Sequence, residues 1–334
     1  MKAIYIERYG NIDGVQIGKL PKPALQPDDV LIHIHAAGIN PLDLRVLEGE
    51  FKAILPVKFP FILGNDLAGV VVEVGSQIKK FKIGDEVYAK TDQTGAFAEY
   101  AVVKASTLSL KPKNLSMQQA ASLPLVALTS WQAIVEIAKV QTGQKVLIHA
   151  GSGGVGTIAI QLAKHLGAVV ATTTSGKNAD WVKALGADII VDYKTTDFED
   201  VIQDYDVVFD TQGGKTLEKS LHVLKRGGRL ISISGPPDSN FAKTINANWL
   251  LQWIIPLLSW SIRHKAKKRG IEYSFLFMQP NGNQLAEIAQ LVESGAIKPV
   301  VDQVFDIANT KQALEYVNTG RAKGKVVINM IQGT

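Results

Sequence analysis

The sequence predicts an α/β fold in which a doubly wound parallel sheet is inserted into a β-rich domain. Three observations predict it. Up to Pro112, short alternating or apolar runs are separated by turn signals. Beyond Pro112, helical patterns alternate with short apolar strands, the rhythm of a parallel sheet. A glycine-rich run, Gly151-Ser152-Gly153-Gly154-Val155-Gly156, falls between one such strand and the next helix. A chain of 334 residues suits two domains. The β-rich domain takes 1–124 and 280–334, and the parallel-sheet domain takes 125–279.

In the first part, strands are expected at Lys2–Ile6, Val30–His35, Ala68–Val74, Glu86–Ala89 and Phe97–Val103. Pro21-Lys22-Pro23, Gly38 and Gly84-Asp85 punctuate them. In the second, six strands are expected at Lys145–Ala150, Val169–Thr173, Asp188–Val191, Asp206–Phe209, Arg229–Ser234 and Tyr273–Met278. Helices lie near Val155–Leu166, Asn178–Leu185, Thr216–Leu224 and Asn248–Lys267. After Pro280 a helix at Leu285–Ser294 precedes strand-like Val300–Phe305 and Gly324–Ile328, which return to the first domain.

The composition, 46% hydrophobic and 20% charged, is that of an ordinary globular chain. With no cysteine, disulfides and thiolate-based metal or redox sites are excluded. Met1–Arg8 reads as an alternating strand and lacks the features of a signal peptide, so the expected address is cytoplasmic. Much of the net charge of +5 lies in Arg263–Arg269. That run reads as a solvated helix end, with a patch for RNA or anionic lipid as the alternative. The preceding Trp249–Trp260 is shorter than the ~20 apolar residues that span a bilayer, and Gln252 and Pro256 interrupt it. It reads as a helix covering a cleft or packing in a subunit interface, with interfacial attachment as the alternative.

The glycine run satisfies G-x-G-x-x-G in the context that gives this pattern meaning: an apolar strand before it and a helix opening on it. Glycine lets backbone N–H groups approach a pyrophosphate, and the helix amino terminus adds partial positive charge. Ser152, Gly153, Gly154, Val155 and Gly156 are the expected contacts in this Rossmann-type site. At the end of the next strand an NAD site usually carries an acid for the ribose hydroxyls. Here the chain reads Thr172-Thr173-Thr174-Ser175-Gly176-Lys177, with no carboxylate to repel a 2′-phosphate. Ser175, Gly176, Lys177 and Asn178 therefore point to NADPH.

These motifs, with several others in order, resemble the medium-chain dehydrogenase/reductase superfamily, in its zinc-free quinone oxidoreductase and alkenal/enone reductase branch. The resemblance spans nearly the whole chain. It rests on Ala37–Arg45, Gly64–Val71, Leu123-Pro124, Thr129-Ser130-Trp131, Phe209–Gly214 and Lys323–Val327 as well as the glycine run. It implies a GroES-like fold for the β-rich catalytic domain, a homodimer, and a small-molecule carbonyl or quinone substrate, with no membrane span and no nucleic-acid partner expected. The zinc members place a cysteine near Asn40 and a His-Glu pair where this chain has Asn65-Asp66, so the resemblance implies zinc-free chemistry and no metal. It implies that Asn40 and Arg45 lie near the nicotinamide or the substrate oxygen, with Asp43 orienting them. Thr129 falls near the nicotinamide amide and Tyr193 near the 2′-phosphate. Ser234, Gly235 and Phe277 end the fifth and sixth strands, at a ligand-binding sheet edge. Some quinone oxidoreductases carry a tyrosine shortly after the first motif; Phe51 stands here and cannot donate a proton.

The expected activity is hydride transfer from NADPH to a quinone or an α,β-unsaturated carbonyl. The alternative is an NADPH-binding protein with an RNA- or partner-binding role and little catalysis. Saturated alcohol–ketone interconversion is a third reading, which the missing metal ligands disfavour.

Overall fold

A computed structural model of the chain describes residues 1–54, 56–92 and 95–331. It divides into two compact units, Met1–Leu128 with Pro280–Thr334, and Thr129–Gln279.

The first unit opens with β1 (Lys2–Ile6), β2 (Gln16–Lys19) and β3 (Asp29–Ile39). In β3 the alternation of Ile32 and Ile34 with His33 and His35 sends the isoleucines into the core and leaves the histidines half-buried. Asn40 ends the strand and starts helix α1 (Pro41–Glu48), with proline at its first position and Gly49 at φ 78 closing it. Next come β4 (Phe61–Ile62), β5 (Asp66–Val74), β6 (Glu86–Lys90), β7 (Tyr100–Lys104) and β8 (Leu108–Leu110), then α2 (Met117–Ala121) and α3 (Pro124–Trp131).

The second unit is built on β9 (Lys145–Ile148), β10 (Val169–Thr174), β11 (Ile189–Asp192), β12 (Tyr205–Asp210), β13 (Leu224–Ser232) and β14 (Glu272–Phe275). All pair in parallel, in the order β11-β10-β9-β12-β13-β14. The order reverses between β9 and β12, and such a switch point opens a crevice at the carboxyl ends of the strands. Its helices are α4 (Gly154–His165), α5 (Ala179–Ala184), α6 (Phe198–Val201), α7 (Gly214–Val223), α8 (Ser239–Thr244), α9 (Trp249–Leu258) and α10 (Trp260–Lys268). Leu147, Val208 and Leu230 from the sheet pack with Leu217, Leu221 and Ile262 from the helices. Each apolar side chain so buried contributes about 1.5–3 kcal/mol.

The chain then returns to the first unit with α11 (Gly282–Glu293), β15 (Val301–Asp306), α12 (Thr310–Asn318) and β16 (Lys325–Asn329). β16 pairs with β3 and completes a seven-stranded sheet, in the order β15-β16-β3-β5-β6-β8 with β7 also on β3.

Four expected elements differ. The helix expected over Asn248–Lys267 is two helices, broken at buried Ser259, whose N–H turns to the Leu257 carbonyl and whose hydroxyl donates to the Pro256 carbonyl at 3.3 Å. The first strand of the parallel sheet stops at Ile148, because Ala150 turns into the left-handed region at φ 55. The fifth stops at Ser232 and the sixth at Phe275, so Ser234, Gly235 and Phe277 lie in the connections beyond the strands. Among the described residues no helix is long and apolar enough to cross a membrane.

Candidate functional site

The second unit gathers its candidate residues where the parallel strands end. After β9 the left-handed turn at Ala150 lets the Gly153 N–H donate to the Ala150 carbonyl at 3.0 Å, and α4 begins at Gly154. The first N–H groups of a helix have no intrahelical partner, so those of Gly154, Val155 and Gly156 are suited to an anion. Close packing fixes two of the glycines. A Cβ on Gly156 would lie 2.3 Å from the Ala150 carbonyl oxygen, and one on Gly151 would lie 2.3 Å from Thr172 Oγ1. A dinucleotide pyrophosphate fits the N–H groups at this helix start, and glycine at those two positions lets α4 begin close against the strand and turn beneath it. Thr129, the first residue of the unit, is buried in α3, and the neighbouring Ser130 hydroxyl donates to the Val155 carbonyl at 3.3 Å.

Beyond β10, Ser175 is buried, while Gly176 and Lys177 stand exposed in a short 3-10 turn. Asn178 is buried too, and its side-chain oxygen accepts from the Trp181 indole at 3.2 Å, so it braces the turn. Tyr193, directly after β11, is 63% exposed. The structure corrects one expectation here. Asp192 ends β11 in register with Thr174, and its Oδ2 lies 2.6 Å from where a Gly176 Cβ would be. A carboxylate therefore stands beside the Ser175–Lys177 turn, brought there by the neighbouring strand.

Two further residues, to which the sequence pattern assigns no role, hold the turns at the carboxyl ends of β12 and β13. Buried Asp210, at the end of β12, accepts from the Gly213 N–H at 3.1 Å and from the Ser232 hydroxyl at 2.6 Å. Ser232 Oγ in turn accepts from the Gly235 N–H at 2.7 Å. This pair holds both turns beyond the switch point, including exposed Ser234, whose hydroxyl donates to the Thr211 carbonyl. Burial raises the Asp210 carboxyl, against the pull of Ser232 and the two turn N–H groups. Phe277 meets Phe241 edge-on at 5.1 Å. An acid that ends a strand and is followed by glycines was the available signal.

In the first unit, Asn40 and Asp43 enter a buried polar cluster. The Asn40 backbone N–H donates to Asp43 Oδ2 at 2.7 Å, and the Asn65 amide donates to Asp43 Oδ1 at 2.7 Å. The Asn40 amide nitrogen donates to Asp66 Oδ2 at 2.9 Å, and the Leu125 N–H donates to Asp66 Oδ1 at 2.8 Å. Lys325 arrives from β16. Its ammonium donates to Asn40 Oδ1 at 2.6 Å and the Ile39 carbonyl at 2.8 Å, and it pairs with Asp66 at 3.3 Å. Asn40 is 1% exposed and Asp66 fully buried. Burial pushes the Asp43 carboxyl up to about 6, against the opposing pull of the Asn40 N–H, the Asn65 amide and Lys325. Burial likewise raises Asp66, opposed chiefly by Lys325.

Arg45 does not join this cluster. It is half exposed, donates from Nε to Glu50 at 2.6 Å and lies 5.5 Å over the Phe51 ring. Asp43 is bonded to Asn40 and Asn65 but not to Arg45, whose guanidinium pairs with Glu50 instead.

Zinc does not fit the residues at the positions the resemblance assigns to its ligands. Asn40, Asn65 and Asp66 supply two amides and one carboxylate, each already bonded within the cluster, and the cation among them is the Lys325 ammonium. Among the described residues no group of three or more His, Cys, Asp or Glu could hold a metal ion.

Comparison with known proteins places this geometry. Residues 26–113 match the family described as alcohol dehydrogenase GroES-like domain, and 185–328 match that described as zinc-binding dehydrogenase. The chain is 35% identical to the human (Homo sapiens) NAD(P)H oxidoreductase RTN4IP1, mitochondrial, over 99% of this chain and 89% of the relative. It is 36% identical to the NADPH-dependent alkenal/one oxidoreductase, chloroplastic, of Arabidopsis thaliana, over 98% of this chain and 79% of the relative. The quinone oxidoreductase of Coxiella burnetii superposes with a TM-score of 0.86 at 32% identity, covering 99% of both chains.

Proposed function

The chain belongs to the medium-chain dehydrogenase/reductase superfamily and is an NAD(P)H-dependent oxidoreductase, and from that premise we propose that it is a zinc-independent, NADPH-preferring reductase of quinones or α,β-unsaturated carbonyls. The observation that carries this reading is the closed cluster at the positions of the zinc ligands, where Asn40 and Asp66 are bonded to each other and to Lys325, and Asn65 to Asp43. Reduction of a saturated carbonyl gains most from a metal that polarises the oxygen. A conjugated acceptor is electrophilic at carbon already and needs only hydrogen-bond or cationic support for the developing negative charge.

Bound at the glycine turn, NADPH supplies a hydride to the β-carbon of an enone or to a quinone, and a proton from solvent completes the reduction. The protein's own groups divide the work. The N–H groups of Gly154, Val155 and Gly156, with Ser152 and Gly153 before them, cradle the pyrophosphate. Ser175, Gly176, Lys177 and Tyr193 face the 2′-phosphate, Lys177 supplying the charge. Thr129, Ser234, Gly235 and Phe277 line the nicotinamide end of the sheet edge. Asn40 and Asp43 act as positioning residues, and Arg45 is the exposed cation of that region, available to an electron-rich substrate oxygen.

The test is NADPH consumption across quinones, alkenals and alkenones, run with and without a chelator. Turnover of at least one conjugated class, unchanged by chelator and faster with NADPH than with NADH, is expected. Loss of turnover with chelator, or oxidation of simple alcohols in preference to conjugated carbonyls, would overturn the proposal.

A further inference from the structure

The second unit carries a feature that reduction of a small molecule does not use. Helix α9 exposes Trp249 and Trp253 at 75% each, together with Leu250, Ile254, Leu257 and Leu258. These positions recur at the helical spacing and form one wide apolar face, while Ile255 points into a small core with Phe241, Ala242 and Ala247. Single exposed apolar residues are ordinary, but a contiguous patch with two tryptophans marks a docking surface.

Its charge indicates what docks there. Between Ser239 and Ile271 the chain carries six Lys and Arg and no Asp or Glu, more positive charge than the +5 of the whole protein. On α10, Trp260, His264, Lys267 and Lys268 share one face at i, i+4, i+7 and i+8, with Trp260 stacked on His264 at 5.1 Å. Ile262 and Ala266 take the opposite, buried side. Lys268 and Arg269 continue onto a cavity of ≈ 420 Å³ beside α7, also lined by Lys215, Lys219 and Lys265, with Glu218 paired to Lys265 at 2.9 Å.

An apolar, tryptophan-bearing helix joined to a cationic one matches the chemistry of an anionic lipid surface. Tryptophan sits at the headgroup boundary, aliphatic side chains enter the acyl region, and lysines meet lipid phosphates. A second copy of this chain fits less well, because an isologous contact would bring two cationic runs together with no carboxylate of the segment to offset them. We propose that α9 and α10 form a surface that docks the protein on anionic bilayers without spanning them.

The test is flotation of the full chain with vesicles of phosphatidylcholine alone or mixed with phosphatidylglycerol, with tryptophan emission followed in parallel. Co-flotation with the mixed vesicles only, a blue shift of emission and release by salt are expected. Lys267→Gln with Lys268→Gln should lower the partition coefficient about 25-fold at low salt, from about 1 kcal/mol per charge. Trp253→Ser should lower it as well while keeping the wild-type unfolding midpoint, which separates lost docking from lost folding. Equal binding to neutral vesicles, or none to either, would overturn the proposal. So would a dimer that Trp253→Ser dissociates, or salt-sensitive RNA binding, in a protein that leaves vesicles untouched.

Discussion

The glycine turn of the second unit and the polar cluster of the first are built in opposite ways. The turn is backbone. Six consecutive residues, Gly151 to Gly156, shape it, and its working groups are N–H donors left over by the start of a helix. The cluster is side chain. Asn40, Asp43, Asn65, Asp66 and Lys325 come from three segments, and the Lys325–Asn40 bond closes across 285 positions of sequence. The turn is therefore vulnerable to added volume, because its glycines pack on the Ala150 carbonyl and the Thr172 side chain. The cluster is vulnerable to a change of charge, because every member is the partner of another.

The largest effect expected from that contrast is at Lys325. Lys325→Met keeps an aliphatic stem in place but leaves Asp66 buried without its cation. Removing one partner of a buried pair costs about 3–5 kcal/mol. Denaturant unfolding should show a loss of that order, and the double variant Asp66→Asn/Lys325→Met should recover part of it. A loss below about 1 kcal/mol in the single variant would mean that hydrogen bonds, rather than charge, hold the cluster.

A smaller effect is expected at the turn. Gly156→Ala would place a methyl 2.3 Å from the Ala150 carbonyl oxygen and force backbone to move, whereas a Cβ on Gly153 meets the same atom at 3.4 Å, an ordinary contact. Gly156→Ala should cost roughly 1–3 kcal/mol of stability and weaken NADPH binding, measured by fluorescence titration; Gly153→Ala should do much less of both. Equal effects at the two positions would show that chain flexibility, not close approach, is what glycine supplies here.

The same contrast explains what was legible in the sequence. The turn, the βαβ rhythm and the helix after Gly153 are local patterns, and all are where the sequence places them. Strand ends shift by a few residues, because Ala150 leaves the β region and because the ladder between β13 and β14 stops at Ser232 and Phe275. The break at Ser259 follows a proline that was visible, although the length of the apolar run suggested a continuous helix. Asn40 and Asp43 stand out in the sequence as candidates but not as members of a cluster. Nothing local ties Asp66 to Lys325, 259 residues away, and only the pairing of β16 with β3 brings the ammonium in. Asp192 is hidden for a related reason: the fingerprint acid belongs at the end of β10, whereas this one comes from β11, its neighbour in the sheet.

Asp192 sets the smallest prediction and sharpens the comparison, since with Lys177 it sets side-chain charge beside a turn made of backbone. Lys177 favours a 2′-phosphate, while the Asp192 carboxylate beside Gly176 opposes it. The two act on the same ligand group with opposite signs. Both lie at a solvated edge, so each is worth at most about 1 kcal/mol, or about 5-fold in selectivity. Asp192→Asn should therefore raise the NADPH-to-NADH ratio of kcat/KM by up to about 5-fold, Lys177→Ala should lower it by a similar factor, and the double variant should return close to wild type. Raised ionic strength should shrink both single effects together, because the charges are screened in parallel. If Asp192→Asn leaves the ratio unchanged while Lys177→Ala lowers it, the phosphate lies on the lysine side of the turn and the carboxylate serves the fold alone, capping the Lys194 N–H at 3.0 Å.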